Sequence, residues 1–369
     1  MTLYRSIFRP LLFRCDPEWA HDAAIRVSSV AGAIPIVRRL ITRITEVEDD
    51  RLVTEVAGIR FPNPVGLAAG YDKSGRAIDM MAALGFGFIE IGSVSADRSE
   101  GNPKPRLWRL PEDRAICVHY GLPNDGAEAV ARRLAGRRWR VPLGINIVKT
   151  NRGLHAPPDD EEAILADYHR SVSQLKDLGD YLCLNLSCPN TDMGRDFFSE
   201  PGKLAALLTR LGDLSLTRPV FLKVSPVGGV AAIEQLLESV EPFRWISGFI
   251  FNLPPAKPGT LRTSRSIWER MPGAVAGAPA RETSNECVGE LYRCMDRKRY
   301  RILAAGGVFT AEDAYEKIRL GASLVELTTA LIYEGPALVA SINRGLGRLL
   351  ARDGFKNITE AVGTAHENI

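Results

Sequence analysis

From residue 46 onward, short apolar runs that end in glycine or a small polar residue return at regular intervals, and this rhythm constrains the fold more than any other feature. The runs cover 64–70, 88–93, 143–146, 181–187, 220–225, 246–252, 302–307 and 323–329. Continuous apolar stretches of this length suit strands buried on both faces, as in a parallel sheet. Amphipathic stretches at 76–84, 127–134, 163–178, 203–211, 231–240 and 311–320 supply helices between most of them. Eight strands alternating with helices predict a closed parallel (β/α)8 TIM barrel, whose sites lie at the C-terminal strand ends. An open doubly wound sheet is the rival, but no GxGxxG follows the first run. The expected division is a small N-terminal helical domain over 1–45 and the barrel over 46–369.

The first 45 residues follow a different pattern. Asp16-Pro17-Glu18 offers an N-cap, a proline at the first helical position and an acid in the first turn. Trp19, Ala23, Val27, Val30 and Ile34 then recur every three or four residues. After a break at 32–35, Val37, Leu40, Ile41 and Ile44 are expected on one face of a second helix. Seven arginines against three acids give this segment +4, more than the +3 of the whole chain. Arginine-edged apolar faces suit either a helix pair lying on an anionic membrane surface or a cap packed on the barrel. No apolar run is long enough to span a bilayer.

With a net charge of +3, nucleic acid is not an expected partner. The arginines at 132, 133, 137, 138 and 140 read as a solvated face. The six cysteines show no metal-ligand spacing, so a reduced compartment and no metal are expected.

Chemistry should concentrate where the runs end. Tyr181 to Leu186 stops at a loop that places Asn185, Ser187, Cys188 and Asn190 within six positions. The other ends offer Ala69-Gly70 followed by Lys73, then Ser93, Asn146, Lys223, Asn252, Gly307 and Thr328-Thr329. These ends hold amides and ammoniums, with no carboxylate pair and no histidine cluster. Glycosidase and metal-hydrolase chemistry therefore lack their groups. Glycines and hydroxyls after the last two strands form a phosphate cradle common in barrels. With Lys223 and the amides, a flat phosphate-bearing cofactor is indicated. Flavin mononucleotide (FMN) fits, because a cation stabilises the reduced ring; a phosphosugar isomerase competes.

The ordered runs Asp16-Pro-Glu-Trp-Ala-His21, Asn63-Pro-Val-Gly-Leu-Ala-Ala-Gly-Tyr-Asp-Lys73, Gly101-Asn-Pro-Lys-Pro-Arg-Leu-Trp-Arg-Leu110 and Asn185 to Thr191 carry a resemblance. Along almost its whole length the chain resembles the class 2, quinone-linked dihydroorotate dehydrogenase family. The resemblance implies that FMN is reduced by (S)-dihydroorotate, or a similar dihydropyrimidine, while a side chain removes the adjacent proton. A quinone then reoxidises the flavin. Carried over by position, Ala69, Gly70, Ser93, Asn146, Asn185 and Lys223 contact the ring and ribityl chain, and Gly277, Gly307, Thr328 and Thr329 hold the phosphate. Lys73, Asn185, Asn190 and Asn252 bind substrate, with Val118 and Leu122 on the same wall, and Cys188 stands at the position of the base. The N-terminal helices frame a quinone tunnel that includes His21 and Arg106. Peripheral attachment to the cytoplasmic side of a membrane is then the expected location.

Departures from the family pattern cluster in the substrate pocket. Class 2 members carry serine where Cys188 stands, whereas class 1 members carry cysteine. A thiol, with an ordinary pKa of ~8.5, loses its proton far more readily than a hydroxyl. Val118 and His119 replace an asparagine and an arginine, Phe251 and Leu253 replace hydroxyl residues, and Thr328 replaces a tyrosine. These changes favour, as an alternative, a related FMN dehydrogenase acting on a less acidic ring.

Overall fold

The computed structural model describes residues 3–153, 156–157, 159–187 and 197–366. All eight expected strands form, and they close into a parallel barrel: β1 (Val65–Leu67), β2 (Phe88–Val94), β3 (Leu143–Ile147), β4 (Tyr181–Asn185), β5 (Val220–Val224), β6 (Ile246–Phe251), β7 (Arg301–Ala305) and β8 (Leu324–Leu327). Each strand pairs with its neighbour in sequence, and β8 closes on β1. Asn185 lies opposite Lys223 across the β4–β5 pair. The β2–β3 register shifts between Ile91 and Val94. Such an irregularity locally re-aims side chains, and Ser93 lies within it.

The lower barrel interior is a plug of rings. Phe61 meets Phe88 edge-on at 5.4 Å, and Tyr181 meets Phe221 at 5.4 Å. Gly144 makes room for Tyr181, since a Cβ there would lie 2.1 Å from the ring. Phe61 belongs to a hairpin, Thr54–Val56 with Ile59–Phe61, whose Val56 packs in the same cluster. Because this end of the interior is filled, the cavity inside the barrel opens at the other end.

The six expected barrel helices are present, with ends within a few residues of expectation; the one predicted at 127–134 is Ala127–Leu134. Three further elements have weaker sequence signals. Helix Arg281–Cys294 begins on the polar stretch Arg-Glu-Thr-Ser-Asn-Glu, and helix Leu338–Asp353 contains Gly345 and Gly347. A three-stranded antiparallel sheet joins Leu107–Leu110, Ala115–Val118 and Ala274–Gly277. That sheet carries Val118 and Gly277, residues far apart in sequence.

The N-terminal helices run Pro17–Ala33 and Pro35–Thr45, and Asp16 caps the first by accepting from the Trp19 amide at 2.8 Å. The expected single apolar face on the second helix is corrected. Val37 and Ile41 pack on the core while Leu40 and Ile44 remain exposed. Among the described residues no helix is long and apolar enough to cross a membrane. The arginine run is paired rather than simply solvated: Arg133 with Asp125, Arg137 with Asp79 and Arg140 with Glu46.

Candidate active site

At the C-terminal end of the barrel a cavity extends from Lys73 and Tyr120 to Gly307 and Thr329. Ala69, Gly70, Ser93, Asn185, Lys223, Gly277, Gly307, Thr328 and Thr329 all line it, as do Lys73, Val118, Leu122 and Asn252. Residues spread over more than 250 positions meet here because all eight strands end at this face. Gly70 has φ +105°, and nothing would meet a Cβ there. Its backbone therefore presents a side-chain-free surface that a flat ligand can approach.

Behind this wall runs one connected set of hydrogen bonds. Asn252 Nδ2 donates to Asn185 Oδ1 at 2.9 Å and to the Ser187 carbonyl at 2.8 Å. Asn185 Nδ2 donates to Ser93 Oγ at 3.1 Å, and Ser93 Oγ to Asn146 Oδ1 at 2.5 Å. Asn146 Nδ2 then donates to Glu90 Oε1 at 2.9 Å, and that oxygen lies 3.8 Å from Lys223 Nζ. Each amide in this chain has its orientation set by the next partner. Asn146 is fully buried behind Ser93 and orients that hydroxyl.

The far end is a cradle for an anion. Gly277, Gly306 and Gly307 all adopt positive φ (+116°, +97° and +74°). A Cβ on Gly307 would strike the backbone and Cβ of Arg281, so only glycine lets the loop pack against the start of that helix. Ser284 lines the cavity beside these glycines and accepts from the buried Lys317 ammonium at 2.9 Å. Burial pushes that amine down to about 7.

At the mouth, Lys73 Nζ lies 3.1 Å from His21 Nε2 and 4.1 Å from the centroid of the Tyr120 ring. Burial, followed by the nearby Lys73 charge, holds His21 well below the usual imidazole range. The neutral ring thus accepts from the ammonium. Desolvation lowers Lys73 to about 8. Arg106 does not line the cavity. Its guanidinium donates to Glu18 Oε1 at 2.8 Å and to the Asn102 carbonyl at 2.8 Å, which ties the first N-terminal helix to the barrel.

Cys188 and Asn190 lie outside the described residues. Among the residues that are described, no group of acids, histidines and cysteines could hold a metal. The strand ends carry no carboxylate pair, but within the strands Glu90 and the cavity-lining Glu326 are both fully buried. Their signal in the sequence is a glutamate inside an otherwise apolar run. Tyr120, Ser284 and Phe309 also line the cavity without having been singled out; Tyr120 lies outside any strand end, and the other two follow from the chain path.

The donor set fits a flat, anionic ligand with a phosphate at one end: two ammoniums, oriented amides, a bare glycine backbone and a glycine cradle edged with hydroxyls. Comparison with known proteins agrees. The dihydroorotate dehydrogenase family model matches residues 51–350. A protein of Natronomonas pharaonis named dihydroorotate dehydrogenase (quinone) is 40% identical over 363 residues, covering 98% of this chain and 99% of its own. One of the same name from Gloeobacter violaceus is 38% identical, covering 99% of each chain. Among solved structures, the ligand-free enzyme of Eimeria tenella superposes with a TM-score of 0.83 at 28% identity, covering 95% of this chain and 99% of that one. The chain belongs to the dihydroorotate dehydrogenase family, whose members use a flavin.

Proposed function

We propose that this protein oxidises (S)-dihydroorotate to orotate, with FMN as its bound cofactor and a quinone as the terminal acceptor. The observation that carries the reading is the single cavity in which Lys73, Asn185, Asn252 and Lys223 meet the glycine cradle. When bound, FMN would supply the two-electron redox chemistry that links substrate and quinone. Lys223 offers positive charge where the ring becomes electron-rich, and Glu90 and the β5 strand hold it there. Ala69, Gly70, Ser93 and Asn185 support the ring; Gly277, Gly307, Thr328 and Thr329 receive the phosphate. Lys73, Asn185, Asn190 and Asn252 orient the substrate between Val118 and Leu122. Cys188 removes the proton from the carbon next to the one being oxidised, and positioned bases contribute about 10²–10⁴-fold.

Residues 1–45 form the access domain for the quinone, with His21 at its inner end and Arg106 securing its first helix. Their exposed apolar residues, Trp19, Val27, Val30 and Ile44 among them, support peripheral attachment to the cytoplasmic side of a membrane. Nucleic acid has no role in this reading.

A second reading draws on the apolar lining. Val118, Phe251 and Leu253 all face the cavity, and such a wall favours a less acidic dihydro ring or cyclic amide. Anaerobic addition of L-dihydroorotate to the purified yellow protein separates the two. Rapid loss of flavin absorbance, reversed by a soluble quinone, is the expected result. A flavin that dithionite reduces and dihydroorotate does not would reject dihydroorotate in favour of the second reading.

A further inference from the structure

Two glutamates sit inside apolar strands with their side chains in the barrel interior. The chemistry above uses only Glu90, as a partner of Lys223. Both are fully buried, yet their surroundings differ. Glu90 on β2 accepts from Asn146 Nδ2 at 2.9 Å and from the Tyr181 hydroxyl at 3.2 Å, and the Lys223 ammonium lies 3.8 Å away. Glu326 on β8 receives no N–H or O–H donor at either oxygen, its hydrogen-bonding neighbour is the Glu90 carboxyl, and it forms part of the cavity wall. A carboxylate without donors in a water-poor interior is far costlier than the corresponding acid. Two neighbouring carboxyls whose environments diverge this way share one proton, with the donor-rich member ionised.

The groups facing Glu326 argue the same way. Burial, then the Glu90 charge, pushes its carboxyl well above the ordinary range, with Lys223 on β5 opposing. On β4, Tyr181 and Cys183 are both raised by burial and stay neutral. No second cation is among the charges acting on Glu326.

We infer that Glu326 is a neutral carboxylic acid at neutral pH and donates its proton to Glu90, so that the pair presents a single negative charge to the Lys223 ammonium. Glu326 is thereby a positioning residue that acts through Glu90 and Lys223. With its proton in place the three groups sum to zero charge beside the ring end of the cavity. Without it they sum to −1, which opposes the arrival of electrons nearby. The protonation state stands on the burial of both carboxyls, the lack of donors at Glu326 and the nearby Glu90 carboxyl, while its effect on a redox potential rests on the FMN reading.

Difference infrared spectroscopy of the wild type against Glu326→Gln, in H2O and D2O, reads a protonated carboxyl directly. The expected result is a deuterium-sensitive acid carbonyl band in the wild type that the variant lacks. Glu90→Gln, a second variant, replaces the charged acceptor with a neutral amide and leaves Glu326 as the counter-ion of Lys223, so that Glu326 ionises and the band is again lost. The midpoint potential of the bound flavin is expected to be the same for wild type and Glu326→Gln at neutral pH, because one neutral group replaces another. Toward alkaline pH only the wild type should show an extra fall as Glu326 loses its proton. Absence of the band, or a higher potential in Glu326→Gln at neutral pH, overturns the inference. A protein that binds no flavin defeats the FMN reading instead, and the infrared measurement still decides the state of Glu326.

Discussion

The barrel and the N-terminal helices treat apolar side chains in opposite ways. In the barrel the rings of Phe61, Phe88, Tyr181 and Phe221 are enclosed and fill the interior. In the helices Trp19, Val27 and Ile44 are 59%, 67% and 72% exposed. Eleven of the fourteen large apolar side chains that are exposed among the described residues fall within residues 3–44. The barrel is complete in itself, whereas the helices display a surface that water covers poorly. Yet the two are firmly joined: Tyr4 donates to the Ile332 carbonyl at 2.6 Å, Glu18 pairs with Arg106, and Thr45 donates to the Ala83 carbonyl at 2.5 Å. In the proposed reading, chemistry and docking fall to separate parts of one connected structure, which is a division that can be attacked.

The largest expected effect tests whether the chemistry belongs to the barrel loop. Cys188→Ala should slow flavin reduction by dihydroorotate by about 10²–10⁴-fold in stopped flow, with flavin content and vesicle binding unchanged; an unaltered rate excludes the thiol as base. The converse variant replaces Trp19, Val27, Val30 and Ile44 with serine. Burying each such side chain fully is worth about 1.5–3 kcal/mol, so binding to anionic vesicles should fall by roughly 10²-fold or more, while reduction by substrate persists. Joint loss of both functions would show that the separation is false.

The joint itself comes next. Glu18→Gln leaves the buried Arg106 guanidinium without its carboxylate, and breaking a buried pair costs about 3 kcal/mol. Arg132→Ala removes an exposed partner of Glu128 at 3.8 Å, which should cost less than about 0.5 kcal/mol. Denaturant melts of the two variants should differ accordingly; equal midpoints would mean the Glu18 contact does not hold the helices to the barrel. The smallest effect concerns pH. Lys73 is lowered to about 8, so the cation that would attract substrate is present below that value and lost above it. The KM for dihydroorotate should rise as pH passes upward through about 8, and Lys73→Met should flatten that profile.

Much of this was legible in the order of residues. A strand buried on both faces must be apolar throughout, so the eight runs stand out, and closure places their polar last residues at one rim. Asp16-Pro17-Glu18 marks its helix start by local chemistry alone, and the structure places the cap where the sequence does. Less legible was anything set by contacts across the chain. Whether Val37 and Leu40 share a face depends on what lies beneath the helix, and that Asn146 lies buried behind Ser93 depends on how the neighbouring strands pack.

By itself, the sequence determined the barrel and the family, because strand burial and motif order are encoded locally. Only the tertiary structure decided which side chains touch. His21 meets Lys73 across 52 positions, Asn252 orients Asn185, and Glu326 is left without a donor while Glu90 has two. Such pairings arise from barrel closure and from the low dielectric it creates, where the presence or absence of one donor sets the charge of a side chain.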